Sequence, residues 1–203
     1  NIYYSKEKSL YTDNMVCQIN GHPCKFSISN KSMSDIYFNF EAFADKKLID
    51  KYTPFFKNTV IDGGSMVSGV YRSREKYADT LKLKTNLFGV SISELPLFNK
   101  TKESTFDLNI DLNFSKTNEY LDLYGEGLQV FVDLKDNDKT QIFINKEKQK
   151  FSKINENLLV SASVSDIDVD SVLNFINTLK FKEDNKKDIK NSFIYKLNID
   201  GKN

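Results

Sequence analysis

Residues Ser104–Ser115 read STFDLNIDLNFS. Phe106, Leu108, Ile110, Leu112 and Phe114 fall on every second position, with Asp107, Asn109, Asp111 and Asn113 between them. Side chains alternate across a strand, so the pattern specifies a β-strand with one apolar face and one Asp/Asn face. The same period extends both ways. Upstream, Leu81, Leu83, Thr85 and Leu87 alternate with Lys82, Lys84 and Asn86. Downstream, Leu128, Val130, Val132 and Leu134 alternate, although Phe131 on their opposite face breaks the pattern. A turn at Asp136–Lys139 leads into Thr140–Asn145 as a returning strand. Leu158, Val160, Ala162 and Val164 repeat the alternation, and Phe193, Tyr195, Leu197 and Ile199 set up a last strand.

Closer to the start, Ile36, Phe38 and Phe40 alternate within a strand. Leu48, Ile49, Tyr52, Phe55 and Phe56 give Ala44–Lys57 a helical spacing that Pro54 ends or kinks. Asp62-Gly63-Gly64-Ser65 reads as a turn before a strand at Met66–Arg72. One clear helix interrupts the β series. Val169, Val172, Leu173, Ile176 and Leu179 line one face, with Asp168 or Asp170 as the N-cap. The charged run Lys182–Lys190 follows it as a solvated loop or a further helical turn. No fixed-period repeat or Gly/Pro-rich linker divides the chain. The expectation is one elongated β-rich domain over 1–203, with an N-terminal hairpin at about 12–30 and a main sheet at about 65–203.

At least five strands between Thr80 and Ile199 carry an apolar face, and two helices cover only part of so wide a sheet. The fold class is therefore mainly β (α+β), a large antiparallel sheet with one solvated face. Such a sheet curls on itself, packs on a second sheet, or offers part of its apolar face to a ligand or partner. Phe106, Leu108, Ile110, Leu112 and Phe114 are the candidate contacts.

Cys17 and Cys24 bracket QINGHP. Asn20-Gly21 is a strong type I′ hairpin signal, since both central residues need positive φ. A two-residue turn there sets Cys17 opposite Cys24, at a separation that a disulfide spans. A one-residue slip or a longer loop is the alternative register, and two free buried thiols the alternative chemistry. A disulfide points to an oxidising, extracytoplasmic compartment. Zinc needs more ligands than two cysteines and the single histidine, His22, provide, so no metal is expected.

Twenty-nine basic and 28 acidic residues leave a net charge of +1 over 203 residues, which gives no footprint for nucleic acid or an anionic membrane. No apolar run is long enough to cross a bilayer as a helix. The chain opens at Asn1, and a mature or trimmed form is expected, with any export signal or lipid-attachment Cys upstream. No nucleophile elbow, P-loop, dinucleotide fingerprint or zincin motif is present, and His22 sits in a hairpin tip, so neither an enzyme nor a cofactor is expected. Asp166, Asp168 and Asp170 match the first ligands of an EF-hand loop. Ser171 and Asn177 occupy its Gly and Glu positions, so the run reads as an acidic helix cap. Asn30, Asn99 and Asn113 head simple N-glycosylation patterns. Asp111-Leu-Asn113-Phe-Ser115 also fits the extended acidic acceptor form of bacterial N-linked systems, which makes Asn113 the glycosylation candidate.

A cysteine pair around a short polar hairpin (MVCQINGHPCKFSI), followed by Lys/Asn/Asp-rich alternating strands such as TFDLNIDLNF, resembles the JlpA-type surface lipoproteins of Campylobacter and its relatives. The resemblance implies an unclosed, curved β half-barrel around helices, a hydrophobic basin, outer-membrane anchoring and a role in adhesion. The functional expectation is a non-enzymatic protein of the periplasm or outer-membrane surface of a Gram-negative bacterium. Its partner would be a protein or glycan on a host or neighbouring cell. The rival expectation is a carrier or chaperone that holds a lipid or other hydrophobic molecule on the same apolar face. Membrane association would come only through an upstream lipid anchor.

Overall fold

The structure, a computed structural model, describes residues 2–5, 9–12, 14–48, 60–93, 100–136, 139–164 and 195–201. Strands β1 (Ile2–Ser5) and β2 (Ser9–Thr12) form a small antiparallel sheet of their own. The Thr12 hydroxyl accepts a hydrogen bond from the Ile28 amide and so ties β2 to the main sheet. That sheet contains β3 (Met15–Ile19), β4 (His22–Ser32), β5 (Asp35–Asp45), β6 (Val60–Arg74), β7 (Thr80–Thr85) and β8 (Val90–Ser93). It continues through β9 (Leu108–Phe114), β10 (Glu119–Gly125), β11 (Leu128–Asp133), β12 (Thr140–Ile144), β13 (Leu158–Val164) and β14 (Tyr195–Gly201). The order is β14-β13-β12-β11-β10-β9-β7-β6-β5-β4-β3, with β8 also paired to β6. The protein is mainly β, and its sheet is not closed, as in a curved half-barrel.

Successive hairpins build the antiparallel part. At the first, Asn20 (φ 51°) and Gly21 (φ 83°) supply the two positive φ angles of the turn, and Cys17 stands opposite Cys24. Gly127 (φ 68°) closes the turn between β10 and β11. The last two pairings differ from the expected antiparallel sheet, because β12–β13 and β13–β14 are parallel. Alternation of apolar residues sets which face is buried but carries no strand direction, so the sequence pattern could not reveal this.

The segment Asp62–Ser65 is not a turn. It lies inside β6, which pairs with β8 over Val60–Gly63 and with β5 over Gly64–Arg74. Gly63 (φ 97°) bends the strand at the change of partner, and a Cβ there would meet the Gly89 carbonyl oxygen at 2.0 Å. The expected strand through Ser104–Ser115 begins only at Leu108, and the one through Leu87 ends at Thr85, with Leu87 at φ 50°. Of the first expected helix, one turn at Lys46–Leu48 is described, capped by the Asp45 carboxylate on the Leu48 amide. Ile49–Lys57, the helix through Val169–Leu179, the acidic run at Asp166–Asp170 and the loop at Lys182–Lys190 lie outside the described residues.

Register gathers the apolar positions into continuous rows. Met15, Phe26, Phe40, Gly69, Leu83, Ile110, Leu123, Val130, Ile142 and Val160 stand side by side across ten consecutive strands. A one-residue slip in any strand would move its members to the opposite face, so the row itself enforces the pairing. At its β12–β13 end Ile142, Leu158 and Val160 form a dry core with Leu128, Val130 and Ile144 against it. Each side chain buried to this degree contributes roughly 1.5–3 kcal/mol.

Candidate functional site

The apolar face changes character along the sheet. Val160 is 1% exposed and Ile142 4%, but Leu81, Leu83, Leu108, Ile110, Leu112, Leu121 and Leu123 are all only partly buried. These seven lie on the adjacent strands β7, β9 and β10, where Leu83–Ile110–Leu123 and Leu81–Leu112–Leu121 are cross-strand rows. The result is a half-open apolar patch beside a closed core. None of its cross-strand neighbours in these rows carries a charge.

The five residues singled out in Ser104–Ser115 take different places. Leu108, Ile110 and Leu112 sit in the patch. Phe114 ends β9 and is exposed, with its amide on the Asp79 carbonyl. Phe106 lies before the strand, its amide bonded to the Asn86 carbonyl. Its ring occupies the space above Gly125, where an added Cβ would come within 2.4 Å of the ring edge. Gly125 thus lets Phe106 cover the rim of the patch. Asn113, the glycosylation candidate, projects from the polar face between Thr80 and Tyr120. It is half-buried, and its side-chain oxygen accepts the Ser115 amide at 2.9 Å in a local Asx turn.

The disulfide joins Cys17 and Cys24 across β3 and β4, with the Cα atoms 4.9 Å apart. Cys24 is buried on the apolar face. Nearby His22 sets Nε2 3.3 Å from Asp45 Oδ2 and its ring 4.9 Å from Phe43. The Leu48 amide, ahead of His22, holds the Asp45 carboxyl below the usual carboxylate range. Among the described residues no nucleophile is hydrogen-bonded to this pair, and no group of three His, Cys, Asp or Glu could hold a metal ion.

The polar face carries a second core that sequence reading missed. Phe131 is 1% exposed, and Tyr120, Phe143 and Phe151 surround it. Phe151 stacks on Tyr120 with ring centroids 4.6 Å apart. The connection from β12 to β13 lies over this face and is fastened by side chains of the sheet. Gln129 Nε2 donates to the Gln149 carbonyl, Gln129 Oε1 accepts the Gln149 amide, Gln141 Nε2 donates to the Ser152 carbonyl, and Lys139 Nζ to the Ile154 carbonyl. Beneath the strap Gln129 also donates to Asp122 Oδ1 at 2.8 Å. Burial pushes the Asp122 carboxyl up, against the opposing pull of that hydrogen bond. The out-of-phase Phe131 was the one visible sign of this core.

No protein-family model matches the chain, and no curated protein or solved structure matches it. The reading of function therefore rests on the site itself.

Proposed function

We propose that the chain is an extracytoplasmic, non-enzymatic binding protein, a surface-exposed module like the JlpA-type lipoproteins that acts in adhesion or partner recognition. The observation that carries this reading is the half-open apolar patch of Leu81, Leu83, Ile110, Leu112, Leu121 and Leu123, set beside a core whose equivalent positions are dry. Grouped exposed apolar side chains mark interaction surfaces. The Cys17–Cys24 bond supports an oxidising compartment for that interaction. The test is binding of the full chain to host cells and to their extracted surface proteins, with Leu83→Ser and Leu112→Ser as variants. Binding that falls about tenfold in both folded variants supports the reading. Equal binding by wild type and both variants removes the patch from recognition.

A second reading is a carrier for a hydrophobic molecule, favoured by the absence of charge across the two rows of the patch. Such a surface suits an acyl chain better than a polar partner. Native mass spectrometry of freshly purified protein distinguishes the two. A bound lipid mass lost in Leu112→Ser favours the carrier, and a bare chain that still binds cells favours the adhesin.

A further inference from the structure

The polar face holds a concavity that lies away from the strap and meets the apolar patch only at Leu108. Its origin is the bend in β6. Between Ser68↔Lys84 and Gly63↔Val90 the pairing of β6 is interrupted on its β7/β8 side while its ladder with β5 continues, and residues 86–89 pass through positive φ at Leu87 and Gly89. Interrupted ladders of this kind re-aim side chains and open the sheet locally. The opening here has a volume of about 670 Å³.

Glu41, Ser68, Lys84 and Asn109 cross it as one row on four adjacent strands, with Asn86 and Asp107 at its end. At a strand spacing of about 4.8 Å the row spans roughly 14 Å. Glu41, Lys84 and Asp107 are exposed. Among the described residues the side chains of these three and of Asn109 have no hydrogen-bond or ion-pair partner, and all four residues line the concavity. Met66 and Val67 add a small apolar margin.

We infer that this concavity is a binding site for a neutral, polyhydroxylated ligand, a saccharide. The row alternates acceptor (Glu41), hydroxyl (Ser68), donor (Lys84) and amide (Asn109), a sequence that matches hydroxyl groups, each both donor and acceptor. Charge excludes the other small polar ligands. Two carboxylates against one ammonium disfavour phosphate or sulfate, and Lys84 beside them, with no third carboxylate among the described lining residues, disfavours a divalent cation. Hydrogen bonds from ionised side chains are the strong ones and would fix the orientation of a sugar ring. The polar row lies on the opposite face from Ile110, Leu112, Leu121 and Leu123, and the concavity meets the apolar patch only at Leu108, so it stands independently of the reading given to that patch.

The test is an amide-NMR titration of the full chain with lactose, chitotriose and maltotriose, and separately with sodium phosphate and calcium chloride. Saturable shifts from at least one saccharide are expected at Ser68, Lys84, Asn86, Asp107 and Asn109, with Leu112 and Leu121 unmoved. Lys84→Met and Asp107→Asn, both at exposed positions and checked for an unchanged spectrum elsewhere, are each expected to weaken binding about tenfold. The inference is overturned if none of the three saccharides gives saturable shifts at these amides, if both variants bind as wild type does, or if only phosphate or calcium binds there.

Discussion

Gln129 and Asp122 form a buried pair on neighbouring strands, and the amide that serves Asp122 at 2.8 Å also holds the backbone of Gln149. One side chain therefore couples a buried carboxyl to the strap above it. Burial favours the protonated acid in the folded state, so its folded pKa exceeds its unfolded one. The stabilising contribution is then complete in acid, below the unfolded pKa, and is lost as pH rises through the folded value. Asp122→Asn keeps an acceptor for Gln129 and removes the buried charge. It is expected to match or exceed wild-type stability at neutral pH, measured by urea denaturation across a pH series. A clear loss at neutral pH would sink this account.

Asp79 has the opposite sign. The Arg74 amide donates to it at 2.9 Å and the Tyr71 hydroxyl at 2.8 Å, and the first of these leads in holding its carboxyl below the usual range. Its contribution is present above the unfolded pKa and lost as pH falls through the folded one. Asp79→Ala should cost about 1–2 kcal/mol at neutral pH and little in strong acid. The same denaturation series, run in parallel with Asp122→Asn, reads both slopes.

Removing Phe151 uncovers Phe131 and unstacks Tyr120. Because Phe151 is only half-buried, Phe151→Ala should cost about 2–3 kcal/mol, below the range for a fully buried aromatic. Hydrogen exchange at the Gln149 amide should accelerate by more than the global loss explains, because the strap loosens first. An unchanged exchange rate there would mean that the glutamines hold the strap unaided.

The Phe106 ring above Gly125 makes a coupled pair. Gly125→Ala drives a methyl into the ring and toward the Asp107 carbonyl, and should cost about 1–3 kcal/mol. In the Phe106→Ala background the same change should cost less, since one of the two obstacles is gone. Additive losses in the double-mutant cycle would show that the backbone alone sets the penalty.

Lys100 is 5% exposed, and its ammonium donates to the carbonyls of Val90, Thr101 and Ser104. Lys100→Met removes the donor to three carbonyls at a largely buried site and should cost about 2–4 kcal/mol, read from the denaturation midpoint. A neutral substitution would mean that water enters in place of the ammonium.

Much of the fold could be read from period-2 alternation. The strands around Leu83, Ile110, Val130 and Val160 were legible, as was the Asn20-Gly21 hairpin that sets Cys17 against Cys24. The misreadings have physical causes that lie outside the apolar period. Asp62-Gly63-Gly64-Ser65 has turn composition because a bend with positive φ needs glycine, whether or not the chain reverses. The parallel pairings of β13 and β14 leave the apolar pattern unchanged. The second core was hidden because Tyr120, Phe131, Phe143 and Phe151 come from four separate segments. The concavity beside Lys84 depends on register across four strands, which no local window contains.

The mixed pairing also divides the chain by the order in which it can assemble. From β3 to β12 each strand lies beside one close to it in sequence, so pairing proceeds through short loop closures. To reach their parallel neighbours, β13 and β14 must each cross the sheet. Until they dock, Ile142 is flanked by β11 alone and lacks Leu158 and Val160, and the edge at β12 is open to any other extended chain. The interval between closure of the last hairpin and arrival of β13 therefore leaves an exposed strand edge beside unburied core residues, which is where aggregation is expected to start.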